Sequence, residues 1–417
     1  MSPFLPSPTA PSRPSTFKSP YPRTGPLAGL IALLWFGFGN PTSAATPQNQ
    51  LSKREIAQGW IQLFDGTTTF GWSQRGKSEW EVVDGSLTPK PGGGAGFLCT
   101  TTEFADFELH AEFWIDSIAN SGVFLRCPTT GDITTTSAYE VNIFDAHPKW
   151  PSGSINDVAR CRRTTRTVDR WNTYDIRAQG PHLVVKLNGR KVVDTVDSKN
   201  ARGLIGLQTF DGRGIIRFRN VKLRPLGGRP LFNGHDLTGW KEVPGHKSVY
   251  SVTRQGWLNV KNGNGDLQTE AQFGDFILQL DILSNGTHLN SGLFFRALPG
   301  EFWQGYESQI RNQWEGEDRS KPVDFGTGGI YRRQPARRVV SSDGTWFTKT
   351  VAAHGRHLAV WVDGYQVSDW TDDRPENPNP RNGFRGAPGV ISIQGHDPTT
   401  DLSFRNLRAT ELPPARP

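Results

Sequence analysis

The chain repeats itself, and the repeating unit is as long as a domain. Leu63-Phe64-Asp65-Gly66 followed by Gly71-Trp72 returns 168 positions later as Leu231-Phe232-Asn233-Gly234 and Gly239-Trp240. Phe104-Ala105-Asp106-Phe107 returns as Phe273-Gly274-Asp275-Phe276, residues 182–194 (HLVVKLNGRKVVD) as 357–369 (HLAVWVDGYQVSD), and Phe218-Arg219-Asn220-Val221 as Phe404-Arg405-Asn406-Leu407. The order is kept throughout, so a whole domain is duplicated rather than a short solenoid unit. The expected copies span 55–226 and 229–412, and the joint at 226–230 is too short for a free tether, so the two should touch.

Each copy reads as all-β. Short apolar runs are punctuated by Gly, Asn and Asp, with 46 Gly and 30 Pro in 417 residues. Asn188-Gly189 and Asp363-Gly364 are hairpin signals between apolar runs. Many short strands at regular spacing predict two packed sheets. Residues 182–187 and 357–362 are apolar on both alternating sets and read as central strands. The three cysteines are too few and too scattered for a disulfide framework; Cys99 and Cys127 read as small buried side chains.

Residues 1–45 read as a leader. Arg13, Lys18 and Arg23 precede the apolar run 27–39, and Thr42-Ser43-Ala44-Ala45 supplies the small residues of a cleavage site. That is the order of a secretory signal peptide. The run is short for a membrane span, so export to the periplasm or exterior is expected. An uncleaved N-terminal anchor is the alternative, and no stable span is expected in the mature chain. The net charge of +7 is mild and does not point to nucleic acid.

The chemistry concentrates in one repeated pair of segments. Residues 120–126 (NSGVFLR) precede Tyr139-Glu140-Val141-Asn142-Ile143, and residues 290–296 (NSGLFFR) precede Tyr306-Glu307-Ser308-Gln309-Ile310. By strand alternation Phe124 and Arg126 share a side, as do Glu140 and Asn142. Phe294, Arg296, Glu307 and Gln309 repeat the pattern. A guanidinium, a carboxylate, an amide and a ring on one face would suit a polar, ring-shaped ligand. Ordinary glycoside hydrolysis needs two carboxyl groups, but the further candidate, Asp145, falls on the opposite face, and Asn312 stands at its place in copy two. One carboxylate facing an Arg suits proton abstraction beside a carbonyl, with the cation stabilising the enolate. His147 or His396 would be a second acid or base. The bland reading of Arg126 and Glu140 is a cross-strand salt bridge.

Arginines crowd one loop in both copies, at 160, 162, 163, 166 and 170 and again at 332, 333, 337 and 338. They read either as a solvated surface or as a basic rim for an anionic or sugar ligand. There is no zinc-type Cys/His spacing, P-loop, dinucleotide fingerprint or nucleophile elbow. No cofactor is expected, and Ca²⁺ held in a loop stays open.

The ordered set LF(D/N)G…GW, DFxL, NSGxFxR, YExxI, GLQ and FRNVxL resembles the DUF1080 family, the 3-keto-disaccharide hydrolase or 3-keto-glucoside 1,2-lyase/3-keto-2-hydroxy-glucal hydratase domain, twice over. The resemblance implies a concanavalin A-like jelly-roll sandwich binding a sugar or glycan on its concave sheet. It also implies cleavage of 3-keto-glycosides by loss of the C2 proton, departure of the C1 oxygen and addition of water. The matching motif positions are Arg126, Glu140 and Gln208, then Arg296, Glu307 and Gln394. Copy two keeps Gln309 in its YESQI, Tyr331 in a GGIY segment, and His396 after Gln394, so it is the expected catalytic copy. The alternatives are a non-catalytic tandem carbohydrate-binding protein and a protein-binding scaffold.

Overall fold

A computed structural model describes residues 48–414. The expected leader, cleavage site and signal peptide lie outside the described residues. Each half of the rest is a β-sandwich, so the chain carries two tandem jelly-roll sandwiches. In the first, an eight-stranded sheet runs Arg190–Val196, His182–Leu187, Trp171–Gln179, Phe107–Ile115, Ile216–Pro225, Ser86–Pro89, Trp80–Val83, with Ile61–Gln62 also pairing Ile216–Pro225. Opposite it lies a five-stranded sheet ordered Trp72–Gly76, Gly96–Thr100, Leu204–Thr209, Ser121–Cys127, Tyr139–Ile143. The second sandwich repeats this plan, and its five-stranded sheet runs Trp240–Glu242, Gly265–Phe273, Gly389–Gly395, Ser291–Ala297, Tyr306–Ile310.

Local sequence explains the strands. Phe107, Leu109, Ala111, Phe113 and Ile115 are buried, while the residues between them are only partly so. That is the period-two pattern of a strand with one face on a core. Asn188 and Gly189 both take positive φ (51° and 75°), as a type I′ hairpin turn requires.

The strand His182–Leu187 departs from its expected central place. It lies one strand from the sheet edge and separates its faces well, with Leu183, Val185 and Leu187 inside. Its counterpart His357–Val362 is buried throughout for another reason. Trp361 and Ala359, with Ile277, Ala352 and Leu412, join the apolar cluster of the first sandwich. The two-sided hydrophobicity therefore encodes a domain contact. Main-chain and side-chain bonds cross the same seam: Gln62 N donates to Gly364 O (2.8 Å), Trp361 Nε1 to Gln62 O (3.0 Å) and Gln279 Nε2 to Gly59 O (2.9 Å).

Candidate functional site

The second sandwich presents a cleft of about 590 Å³ on the face of its five-stranded sheet turned away from the core. Its lining includes Glu307, Gln309, Tyr331, Gln394 and His396, five of the side chains singled out in the sequence, together with Asn290, Trp303, Arg332, Arg333 and Arg381. Register explains the gathering. Phe294 pairs with Glu307 on one side and with Ser392 on the other, while Gln394 pairs with Asp266. These side chains alternate with the core residues Leu267, Leu293, Ile391 and Ile393 and therefore share the outer face.

Glu307 lies across Gly292. A Cβ there would stand 2.5 Å from Glu307 Oε1 and 2.9 Å from its Cγ, so the glycine of the NSG motif makes room for the carboxylate. Arg381 Nη2 donates to Glu307 Oε2 at 2.9 Å, and its guanidinium lies 5.0 Å from the Phe294 ring centre. Burial pushes the Glu307 carboxyl above its ordinary range, and the charge of Arg381 partly offsets this. His396 stands beside Asp397, Nδ1 to Oδ2 at 2.9 Å, and its Nε2 lies 3.3 Å from Asn290 Nδ2. Asn290 and Gln309 both donate to Asp324 Oδ2 (3.1 and 2.9 Å). Gln394 Oε1 is buried with no hydrogen-bond partner in the protein.

Arg296 and Arg126 are not in this arrangement, which corrects the alternation argument. Both residues have positive φ (46° and 54°), and the strand register shifts beside each. A β-bulge at the arginine turns its side chain off the sheet face. Arg296 then donates to the main-chain oxygens of Gly274, Gly355 and Arg385 and to Asp275 Oδ1. Arg126 does the same with Ala105, Gly180, Asn200 and Asp106. Both guanidinium groups are fully buried clamps between loops.

The cation beside the carboxylate is Arg381, which sequence reading missed. Its signal is a difference in loop length. Tyr306 Oη donates to Asp372 Oδ2 (2.7 Å) and accepts from Arg385 N (2.9 Å), as Tyr139 Oη does with Asp197 Oδ1 (2.8 Å) and Asn200 N (3.1 Å). Between these anchors the second copy spans 13 positions and the first only 3. The extra segment carries Arg381 into the cleft. Arg374 braces it by donating to the carbonyls of Pro380 and Gly383 (2.9 Å each).

The first sandwich keeps Glu140 but little around it. Phe97 pairs with Gln208 where Asp266 pairs with Gln394, and Cys99 stands where Gln268 does. Phe210 replaces His396. Asn156 replaces Tyr331, since the N–H of each donates to the carbonyl of its own glutamate (2.9 Å). Phe124 packs edge-on against Phe97 at 5.0 Å, Asn142 spends its amide on Trp150 O, and Gln208 Oε1 is buried without a partner. Burial raises the Glu140 carboxyl to about 7 despite a hydrogen bond from Asn156. His147 caps a local turn by accepting from Trp150 N (2.8 Å), and Asp145 is tied to Ser152 and Thr167. Of the two arginine loops, only Arg332 and Arg333 line the second-copy cleft; Arg337 pairs with Asp65 of the first domain at 2.7 Å.

Among the described residues no group of three or more His, Cys, Asp or Glu side chains is placed to hold a metal ion. No helix among them is long and apolar enough to cross a membrane.

Comparison with known proteins bears on both halves. A family profile described as 3-keto-alpha-glucoside-1,2-lyase-like domain matches residues 59–224 and again 227–410. A 3-keto-disaccharide hydrolase of Bacteroides thetaiotaomicron is 35% identical over 79 residues, which are 16% of this chain and 27% of that protein. The chain thus matches about a quarter of that relative's length. A structure from Parabacteroides distasonis described as a candidate glycosyl hydrolase aligns at 18% identity with a TM-score of 0.39, over 43% of this chain and all of that one. The carbohydrate-binding module CBM66 of Bacillus subtilis aligns at 20% identity with a TM-score of 0.31, over 36% of this chain and 94% of its own.

Proposed function

The chain belongs to the 3-keto-alpha-glucoside-1,2-lyase-like family, and we propose that its second domain cleaves a 3-keto-glycoside in the cleft around Glu307. In this reading Glu307 takes the proton from C2, which the neighbouring ketone acidifies. The electrons of the C2–H bond form an enolate whose charge falls on the ketone oxygen, and Arg381 stabilises that charge. Collapse of the enolate breaks the C1–oxygen bond, and His396 protonates the departing oxygen. Addition of water across the resulting double bond gives net hydrolysis. Gln309, Tyr331 and Gln394 hold the sugar.

The observation that carries this is the 2.9 Å contact of Arg381 with Glu307 inside a cleft that also holds His396. Burial favours the role, because a carboxylate short of solvent is a stronger base. Export of the enzyme, with residues 1–45 removed, completes the reading. A non-catalytic carbohydrate-binding role suits the first domain, where an aromatic pair, Phe97 and Phe124, accompanies the unpartnered acceptor of Gln208.

The test is turnover of 4-nitrophenyl 3-keto-glucoside by the purified chain, beside Glu307→Gln and Glu140→Gln. Loss of about 10²–10⁴-fold in kcat is expected for Glu307→Gln alone. A wild-type chain that binds the glycoside without turning it over would sink the enzyme reading and leave a binding protein.

A further inference from the structure

Three features of the site meet at Trp303. The Trp303 ring lies nearly parallel to His396, with centroids 5.5 Å apart and 10° between planes. Its carbonyl accepts from Arg381 Nε at 2.9 Å. Its N–H donates to Asp266 Oδ2 at 2.7 Å. Trp303 has a φ of 55°, a left-handed conformation unfavourable for a bulky residue and kept only where surrounding contacts impose it. The main-chain pins on this loop come largely from one strand. Asp266 fixes Trp303, and Gln268, on the same face, donates to Glu301 O (3.0 Å) and accepts from Gly300 N (2.8 Å). The Phe302 ring stacks on the indole at 4.3 Å, and His246 stacks on Phe302 at 4.0 Å.

The duplication supplies an internal control. The first domain has Phe97 and Cys99 where the second has Asp266 and Gln268. The same domain lacks counterparts of His396 and of the segment bearing Arg381. The pins and the groups they hold are present together or absent together.

We infer that Asp266 is the positioning residue of the second-domain site: through Trp303 it fixes the His396 ring and the Arg381 guanidinium against Glu307. Asp266 does not line the cleft and is almost wholly buried under the loop. Its second oxygen makes no hydrogen bond of good geometry and has only the Ser392 hydroxyl near it, so a well-packed apolar residue there would be cheaper for stability alone. Burial raises its carboxyl to about 7, and the Trp303 N–H partly offsets this.

The inference rests on the reading of this cleft as the reaction site, so its test needs a readout besides turnover. The full chain, Asp266→Leu, Asp266→Asn and Gln268→Met would be treated with diethyl pyrocarbonate, and modification of His396 followed by peptide mass. Turnover of the 3-keto-glucoside would be measured on the same samples. Asp266→Leu should loosen the His396 ring, already part-exposed in the cleft, and speed its modification about threefold or more, with kcat down about tenfold and KM changed much less. Asp266→Asn keeps an acceptor for Trp303 and should recover most of both losses. Gln268→Met, which frees the same loop two residues away, should move both readouts in the same direction and decides the matter if Asp266→Leu does not fold. Unchanged His396 modification in the folded variants overturns the inference, whatever the turnover. Altered modification with no turnover in any form would instead overturn the proposed reaction.

Discussion

Arg381 and Glu307 meet at 2.9 Å although 74 positions separate them, and among the described residues no arginine pairs with Glu140 in the same way. The arginine is planar, fixed by Trp303 O at its Nε, and faces the acid with a second nitrogen. Arg381→Met should lower kcat/KM for a 3-keto-glucoside by about 10²–10³-fold. Arg381→Lys should recover part of the loss, since charge returns without the two-point geometry. Steady-state kinetics on the three proteins decides this, and equal rates would remove Arg381 from the reaction.

Gly292 separates geometry from chemistry without replacing a charged residue. An added methyl would push the Glu307 side chain off its place, because both Cγ and Oε1 stand within 3.0 Å of the new Cβ. Gly292→Ala is expected to cost about tenfold or more in kcat while the protein stays folded. The matching change in the first domain, Gly122→Ala, meets Glu140 Cγ at 3.0 Å and should leave turnover unchanged. A rate loss from Gly122→Ala would place chemistry in the first domain.

Arg296 is a buried clamp that does not line the cleft, so a role in stability is expected of it. Its guanidinium is buried, and its partner Asp275 also accepts from Arg202 of the first domain at 2.8 Å. Arg202 in turn bonds Glu103 at 2.9 Å, and Glu103 pairs with His354 of the second domain at 3.3 Å. Removing one member of a buried ionic network leaves its partners uncompensated, about 3–5 kcal/mol. Arg296→Met should therefore lower the denaturation midpoint sharply. At temperatures where the variant remains folded, its KM and kcat should stay near wild type.

The repeat and its turn residues made the two sandwiches legible, because alternation and Asn-Gly or Asp-Gly signals are local. Glu307, Gln309, Gln394 and His396 could be found because regular strands carry them, or end beside them. Arg296 was misplaced because a single bulge reverses which side a residue faces, and a bulge at a non-glycine residue leaves little trace in sequence. Arg381 was invisible to motif reading because it arrives on an insertion absent from the other copy. Asp266 looked like any polar residue in a strand until its register with Gln394 was known.

Trp361 tests whether the halves unfold together. Its ring is about 1% exposed and sits in the first domain's apolar cluster, although its own strand belongs to the second. Trp361→Ala should cost about 3–5 kcal/mol, as large-to-small changes in a packed core do. It should also split the unfolding profile, because the lost contact lies between the domains. A calorimetric scan that stays a single transition, shifted little, would show that the seam contributes less than its burial suggests.

Glu140 predicts a pH dependence whose sign follows from burial. Its folded carboxyl titrates near 7, above the 4.5 of an exposed glutamate, because burial disfavours the charged form. The folded state thus binds the proton more tightly than the unfolded chain. The associated stability is full below the unfolded pKa and is lost as pH rises through about 7. Glu140→Gln, neutral at every pH and close in shape, removes that loss. Denaturant midpoints should coincide for the two proteins near pH 4, with the variant more stable by on the order of 3 kcal/mol at pH 8. A variant less stable than wild type at pH 8 would mean that the Glu140 charge is held by a partner, and would reopen the first domain as a site for chemistry.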